Sequence, residues 1–495
     1  MKVAQRRKPL KLNMFLNVIK GVMGIIFPLI SFPYASKVLG VENIGKYNFV
    51  YSIISYFLLL ADLGISTYAI REGAKIRFDG EKIDAFSSEI FSINCISTMG
   101  SLGLLFLCVA VIPKFHLYRV LFFIMAFQLL FRVIGVEWIY SVYEEYTYIT
   151  IRTICFQVIA LVSLFLLVKT EKDINIYTGI NVVASVLSSI LNFIRSRKFC
   201  GIHITYRIQY KTHAKAIMIL FFMNLTISIY VASDTTILGF LCNNIVVGIY
   251  SLSTKIYSIV TTIISSVLIV SIPRLSALLN QNDRTEFENV ATDVYKTLLS
   301  VMLPAIVGLL LMRQEIILIT ANEMFLQAES SLALLSVALF FCMGAWFWGQ
   351  CILVPLGKEQ YIFYITLVSA IVNIVLNLVL IPNGKENAAA FTTIIAEGIS
   401  YACCMIIGRR YVTLGKLWKN VAKILIGCGG IFVCVAAMRP LKKMSSIYFV
   451  LVVSLSVIIY TGIELLLRNE IFIESFSGIQ KWICNLLSGR NEETN

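Results

Sequence analysis

Several ionisable residues lie inside long apolar stretches of this 495-residue chain, where water is not expected to solvate them, and seven of them are candidates for chemistry. They are three cations and four carboxylates: Lys20, Arg132, Lys255, Asp62, Glu137, Asp234 and Glu397. An ionised group at mid-bilayer costs about 2.5 to 3.5 kcal/mol even on a permissive scale, so each of these residues needs a partner or a ligand. A buried Lys or Arg can neutralise a phosphate that has left water, and a buried carboxylate can bind a coupling proton or sodium ion. Internal ion pairs between the two sets are the alternative.

Polar residues accompany these charges at steps of three and four, which place side chains on one face of a helix. Three such stripes are Asn13, Asn17, Lys20, Gly24 and Pro28; Ser251, Lys255, Ser258, Thr262 and Ser265; and Ser369, Asn373 and Asn377. Amides and hydroxyls can donate to or accept from sugar hydroxyls. A cavity that combined them with the cations would suit a substrate with an anionic phosphate and many hydroxyls. Alternatively, the small and polar residues only let membrane helices approach and hydrogen-bond.

The elements that must hold these residues are transmembrane helices. Apolar residues make up 58% of the chain and charged residues only 14%, against about 25% in soluble proteins. This composition excludes a soluble enzyme, a disordered scaffold and a secreted disulfide framework. About 20 apolar residues cross a bilayer as a helix, and fourteen stretches qualify: 13 to 35, 46 to 65, 89 to 112, 120 to 141, 151 to 168, 176 to 194, 216 to 240, 245 to 271, 297 to 317, 328 to 354, 361 to 381, 388 to 407, 421 to 438 and 446 to 467.

Two short motifs, each of which occurs twice in the sequence, predict that the chain is built from two related halves. Leu39-Gly40 with Gly45-x-Tyr47 is repeated as Leu238-Gly239 with Gly248-x-Tyr250, and the pair Gly135 and Glu145 is repeated as Gly349 and Glu359. We therefore expect two six-helix bundles of like topology around a central cavity, with two further helices. The predicted domains are a cytoplasmic N-terminus (1 to 12), the first bundle (13 to 194), a basic cytoplasmic linker (195 to 215), the second bundle (216 to 407), two additional helices (408 to 467) and a cytoplasmic tail (468 to 495).

The basic residues predict the orientation, because Lys and Arg are retained on the cytoplasmic side of short loops. With the N-terminus inside, the inner segments hold 28 of the 42 Lys and Arg residues, so both ends are expected to be cytoplasmic. The net charge of +14 then reflects orientation and attraction to anionic lipids rather than nucleic-acid binding. The 12 cysteines show no C-x-x-C spacing and the chain has only three histidines, so we expect no metal. No P-loop motif is present, and we predict neither a cofactor nor an enzyme.

Several motifs resemble those of the Wzx-type oligosaccharide flippases, a family of polysaccharide biosynthesis proteins. They are Ser31-Phe-Pro-Tyr-Ala-Ser-Lys-Val-Leu-Gly40, Gly45-Lys-Tyr47, Ala61-Asp-Leu-Gly64, Arg71-Glu-Gly-Ala-Lys75, Gly248-x-Tyr250, Pro273-Arg-Leu-Ser276, Asn373-Ile-Val-Leu-Asn377 and Ala396-Glu397. Lys37 replaces the arginine that is usual in the first motif. The resemblance runs from about residue 13 to 410 and implies an all-α membrane fold like that of multidrug-extrusion transporters.

The resemblance also implies a function, which is to carry undecaprenyl-diphosphate-linked oligosaccharides across the bacterial cytoplasmic membrane by alternating access. Its partners would be membrane lipids and the polymerase and glycosyltransferases of an O-antigen, capsule or exopolysaccharide pathway. We expect Lys20, Arg132 and Lys255 to hold the diphosphate. Asn17, Ser258, Asn373 and Asn377 would contact sugars, and Asp62, Asp234 or Glu397 would bind a coupling ion. A lipid-linked peptidoglycan precursor flippase and a multidrug-extrusion transporter are the alternatives.

Overall fold

The structure is a computed structural model that describes residues 10 to 206, 208 to 280, 283 to 441 and 446 to 473. Within these ranges the regular elements are all helical. The α-helices are α1 (Leu10–Asp62), α2 (Ile65–Ile76), α3 (Gly80–Val111), α4 (Arg119–Arg132), α5 (Glu137–Val142), α6 (Tyr146–Leu167), α7 (Ile174–Ser196), α8 (Tyr210–Leu241), α9 (Asn244–Asn280), α10 (Arg284–Leu311), α11 (Arg313–Thr320), α12 (Ala328–Trp346), α13 (Glu359–Gly408), α14 (Trp418–Met438) and α15 (Ser446–Leu466).

Twelve helical segments in the described ranges are long and apolar enough to cross a membrane. The two longest helices each contain a residue with non-helical backbone, Gly40 in α1 (φ 75°) and Lys385 in α13 (φ 48°). Counting each side of these breaks separately gives fourteen segments. The prediction of an all-α membrane protein with about fourteen spans is therefore confirmed.

Helices extend further than the apolar stretches do. Residues 66 to 87 were expected to be a cytoplasmic loop, but α2 and the first turns of α3 occupy most of this segment. α2 is amphipathic: Tyr68 and Ala69 are buried, whereas Arg71 is exposed. Such a helix can lie beside the bundle without crossing the bilayer. Hydropathy alone could not find it, because half of its surface is polar.

One predicted span is interrupted. Residues 120 to 141 were expected to form a single helix, but α4 ends at Arg132 and is followed by a 3-10 turn at Val133–Gly135. Val136 then adopts a left-handed conformation with φ 31°, and α5 begins at Glu137. The corresponding glycine in the second half, Gly349, lies in a π-helical segment at Phe347–Leu353. Gly135 and Gly349, which correspond in the repeated motif, therefore both lie in irregular helical segments, which are common at functional sites.

The described helices form two compact units. Unit 1 contains residues 1 to 252, 320 to 325 and 374 to 389, and unit 2 contains residues 253 to 319, 326 to 373 and 390 to 495, in each case where they are described. Each unit is assembled from three separate segments of the sequence, so neither unit is one continuous stretch. The domain boundaries expected from the sequence stay a prediction.

Inside unit 1, two echoed glycines allow a close backbone approach. A Cβ atom on Gly45 would lie 1.8 Å from the carbonyl oxygen of Asn244, and one on Gly248 would lie 2.0 Å from that of Val41. No side chain fits at such distances. The backbones of α1 and α9 therefore meet at these two glycines, and glycine is needed at both positions.

The segment after α7 runs along α3 and is held by α3 side chains. Backbone N–H groups donate to these side chains in three places: Gly201 to Asp84 (2.8 Å), Thr205 to Ser92 (2.8 Å) and Gln209 to Glu89 (2.9 Å). Just upstream, Tyr143 donates its hydroxyl hydrogen to the carbonyl of Phe199. Burial raises the pKa of Tyr143 to about 12, so this hydroxyl stays protonated at neutral pH. We call the described residues of this segment, 201 to 206 with 208 and 209, the strap.

Candidate substrate and ion sites

A polar cavity of about 330 Å³ lies within unit 1, bounded by the ends of α1 and α4 and by α2, α3, α5 and α7. Its polar lining consists of hydroxyls, amides and three charged side chains: Asp62, Ser66, Asn94, Gln128, Arg132, Glu137, Ser141, Ser185, Ser188, Ser189 and Asn192. Its apolar lining includes Ile70, Ile90, Phe91 and Trp138. Three of the sequence-predicted charges, Arg132, Asp62 and Glu137, therefore face one cavity.

Arg132 is the last residue of α4 and lines this cavity, and its side chain is 54% exposed. The 3-10 turn is fixed from across the cavity, where the amide of Asn192 donates to the carbonyl of Gly135 at 2.7 Å. In a continuous helix through residues 120 to 141, an amide four residues further on would satisfy that carbonyl instead.

Arg132 is only loosely paired. Its Nη2 lies 4.0 Å from Oδ1 of Asp62, at the outer limit of an ion pair. Asp62 instead accepts a short hydrogen bond of 2.5 Å from the hydroxyl of Ser66. Within the described part of the chain the guanidinium of Arg132 donates no hydrogen bond, although it carries five N–H groups. These donors are available to a ligand.

Lys20 has a close partner. Its Nζ lies 3.0 Å from Oε1 of Glu137, and the same oxygen lies 3.7 Å from Nη2 of Arg152. Arg152 is buried, with its side chain 6% exposed, and also donates to the amide oxygen of Asn192. For Lys20 the structure shows the internal ion pair that was the alternative to substrate binding. Arg152 was not among the predicted residues, because it lies at the very start of the apolar stretch 151 to 168.

Lys255 belongs to unit 2, in α9. It is half-buried, and its ammonium makes no ion pair or hydrogen bond with any described residue. The neighbouring Ser258 donates its hydroxyl hydrogen back to the carbonyl of Lys255 at 2.9 Å, and Thr262 does the same to Ser258. The hydroxyls of Ser258 and Thr262 are thus on exposed residues and bonded to their own helix, whereas the Lys255 ammonium has no partner among the described residues.

Asp234 lies in a buried hydrogen-bonded group of unit 1. Its carboxylate accepts one hydrogen bond from the hydroxyl of Tyr250 (2.6 Å) and another from the amide of Asn377 (2.6 Å). Asn377, predicted to contact sugar, is completely buried here and contacts a predicted ion-binding residue instead. Tyr250 was not predicted, although its place in the repeated Gly-x-Tyr motif was a signal.

Asn373 and Glu397 are buried and belong to unit 2. The side chain of Asn17 lies outside the described residues. Within the part of the chain that the structure describes, no group of three or more His, Cys, Asp or Glu side chains could hold a metal ion.

Comparison with known proteins places the fold and the family. A family model described as "Polysaccharide biosynthesis protein" matches residues 10 to 279, and a second, MatE, matches residues 220 to 379. The putative O-antigen transporter of Escherichia coli strain K12 is 22% identical over 273 residues, which is 54% of this chain and 65% of that protein. The alignment thus spans just under two thirds of this relative.

Solved structures with this fold include a flippase and multidrug transporters. The inward closed conformation of the lipid II flippase MurJ superposes with a TM-score of 0.74 at 16% identity, covering 93% of this chain and all of that one. An inward-facing multidrug resistance MATE family transporter gives a TM-score of 0.59 at 10% identity, covering 80% and 97%. The chain is a multi-pass membrane protein with the fold of these transporters. The family model covers more than half of its length and confirms the resemblance drawn from its motifs, so the chain belongs to the polysaccharide biosynthesis protein family.

Proposed function

We propose that this protein moves undecaprenyl-diphosphate-linked oligosaccharides from the cytoplasmic to the outer leaflet of a bacterial cytoplasmic membrane, for O-antigen, capsule or exopolysaccharide synthesis. Family membership and the name of the Escherichia coli relative support the substrate class. The observation that carries the proposal is the presence of a half-buried cation without a described partner, Lys255, in a membrane protein of this family. An uncompensated charge at this position is expensive unless a substrate supplies its counter-ion.

We assign the diphosphate to Lys255 first. Lys20 is already neutralised by Glu137, so its attraction for a further anion is weaker. Arg132 lines a cavity of hydroxyls and amides that is suited to glycan rather than to phosphate alone. The polyprenyl tail would stay in lipid, since it needs no polar pathway. Transport by alternating access, with cytoplasmic termini, is part of the proposal, as are polymerase and glycosyltransferase partners.

Asp234 is our candidate for the coupling ion. A carboxylate held by two donors, Tyr250 and Asn377, in a buried position can exchange a proton or accept a sodium ion as those donors turn away. Asp62 is less suited, because it faces Arg132 and accepts from Ser66. Glu397 is a second buried carboxylate, in unit 2.

The test is complementation of a bacterial strain that lacks its own O-unit flippase and receives the matching glycan enzymes. Wild-type protein should restore surface polysaccharide, and Lys255→Ala should reduce it at least tenfold while lipid-linked oligosaccharide accumulates on the inner leaflet. Lys255→Arg should retain most activity, because the charge remains. Arg410→Ala, which removes an exposed cation, is the matched control.

Two outcomes would contradict the proposal. If wild-type protein restores no surface glycan in any such strain but rescues depletion of a peptidoglycan precursor flippase, the substrate is the other lipid-linked class. If Lys255→Ala supports normal polysaccharide levels at equal protein abundance, the diphosphate contact assigned to Lys255 is wrong.

A further inference from the structure

We propose that the cavity of unit 1 is a binding subsite for a single sugar residue, and that Arg132 makes it prefer a sugar carrying a carboxylate over a neutral one. This inference rests on the proposed function, because it names a part of the glycan that the protein would recognise. It adds a site of defined size and charge, separate from the diphosphate contact at Lys255.

The cavity presents polar groups that have no partners within the described chain. The side chains of Gln128, Ser141, Ser185 and Ser188 line it and make no hydrogen bond with any described residue. The guanidinium of Arg132 also lines the cavity and likewise donates no hydrogen bond to any described residue. Structural polar residues inside a bundle normally bond to neighbouring helices, as Asn192 does to Gly135. Hydrogen-bond donors and acceptors that line one cavity and lack partners in the described chain are instead what a ligand with many hydroxyls requires.

The size of the cavity fits one ring. Ligand pockets usually span about 300 to 1,000 Å³, so 330 Å³ lies at the small end and corresponds to roughly ten water molecules of about 30 Å³ each. A hexose, with twelve heavy atoms, fits within that space. Phe91 and Trp138 supply an apolar wall for the C–H face of the ring. Both aromatic rings are fixed, Phe91 by Phe193 and Trp138 by Phe86.

The balance of charge favours an acidic sugar. The cavity and its immediate support contain three cations and two carboxylates: Lys20, Arg132, Arg152, Asp62 and Glu137. Glu137 lies within ion-pair distance of both Lys20 and Arg152, whereas the ion pair between Arg132 and Asp62 is long, at 4.0 Å. A guanidinium fork matches a carboxylate in a bidentate manner. The carboxylate of a bound sugar would accept the hydrogen bonds from the Arg132 guanidinium that Asp62 does not accept.

The inference can be tested on the purified full-length protein in lipid nanodiscs, with free glucuronate and free glucose as probes in saturation-transfer difference NMR. We expect saturable binding of glucuronate, weaker binding of glucose, and an apparent Kd for glucuronate at least tenfold higher in Arg132→Gln. Ser188→Leu, which fills the cavity, should weaken both sugars. Arg410→Gln is the matched control and should bind like the wild type.

Arg132→Lys controls for a folding defect, because it keeps the positive charge and removes only the bidentate guanidinium. This variant should bind glucuronate more weakly than the wild type but more strongly than Arg132→Gln. The subsite is overturned if glucuronate shows no saturable binding, or if it binds equally well to wild type, Arg132→Gln and Ser188→Leu. Its charge preference is overturned if glucose and glucuronate bind alike. Complementation by the wild type is scored separately, so a failed subsite is distinguishable from a failed function.

Discussion

The amide of Asn377 and the carboxylate of Asp234 are joined by a hydrogen bond of 2.6 Å in the interior of unit 1. The two residues are 143 positions apart in the sequence, and each was predicted for a different task. Their contact ties the motif of α13 to α8. It also removes Asn377 from the list of side chains that are free to contact a sugar, because its amide faces the carboxylate.

Asp234→Asn is expected to abolish energy coupling while keeping the local packing. The substitution is nearly isosteric, but a neutral amide does not take up a proton at physiological pH and brings no negative charge to hold a sodium ion. Surface polysaccharide in the complemented strain should fall at least tenfold at unchanged protein abundance. Asp293→Asn, at an exposed position, is the control. Normal glycan levels with Asp234→Asn would remove Asp234 from the coupling mechanism.

Gly45→Ala is expected to destabilise the protein strongly. The added methyl would lie 1.8 Å from a backbone carbonyl, so α1 must move away from the start of α9. Overpacking of this kind costs about 1 to 3 kcal/mol, and more where backbone must shift. The midpoint of thermal unfolding in detergent should drop. Gly103→Ala, in the middle of α3 with nothing within 4 Å, should leave it unchanged or raise it slightly.

Arg152→Met is expected to cost more than Lys20→Met, although both cations contact Glu137. Arg152 is buried, whereas the side chain of Lys20 is 39% exposed and its ion pair is partly screened by solvent. Removing one partner from a buried charge group typically costs about 3 to 5 kcal/mol. The double variant Arg152→Met with Glu137→Gln should recover part of the loss. Equal thermal stability of the two single variants would show that the burial of Arg152 does not increase its contribution to the stability of the protein.

Asp84→Ala is expected to loosen the strap from α3. Its carboxylate accepts the backbone N–H of Gly201, and a hydrogen bond to a charged group contributes about 1.5 to 3 kcal/mol. Hydrogen–deuterium exchange of the peptide covering residues 200 to 209 should then accelerate roughly tenfold or more. Glu81→Ala, one turn earlier on α3, provides the comparison. Unchanged exchange in Asp84→Ala would mean that the strap is held mainly by Ser92 and Glu89.

Much of the fold could be predicted from the sequence, because a bilayer imposes length and hydropathy on every spanning helix. The breaks at Gly40 and Lys385 lie between predicted spans for this reason. The interruption after Arg132 could not be predicted. The stretch from 120 to 141 is, as a whole, apolar enough to be read as one continuous helix, and the turn is instead stabilised by Asn192, which is far away in the sequence.

The sequence by itself determined that this chain is a membrane protein, how many spans it has, and that a few charges lie inside them. Those properties follow from composition and periodicity, which are local. Only the tertiary structure decided which charges are satisfied. Lys20 and Glu137 are paired, Asp234 is held by Tyr250 and Asn377, and Arg132 and Lys255 are left available. The physical reason is that an ion pair or hydrogen bond requires atoms about 3 Å apart, and helix packing alone brings together residues that lie 100 or more positions apart.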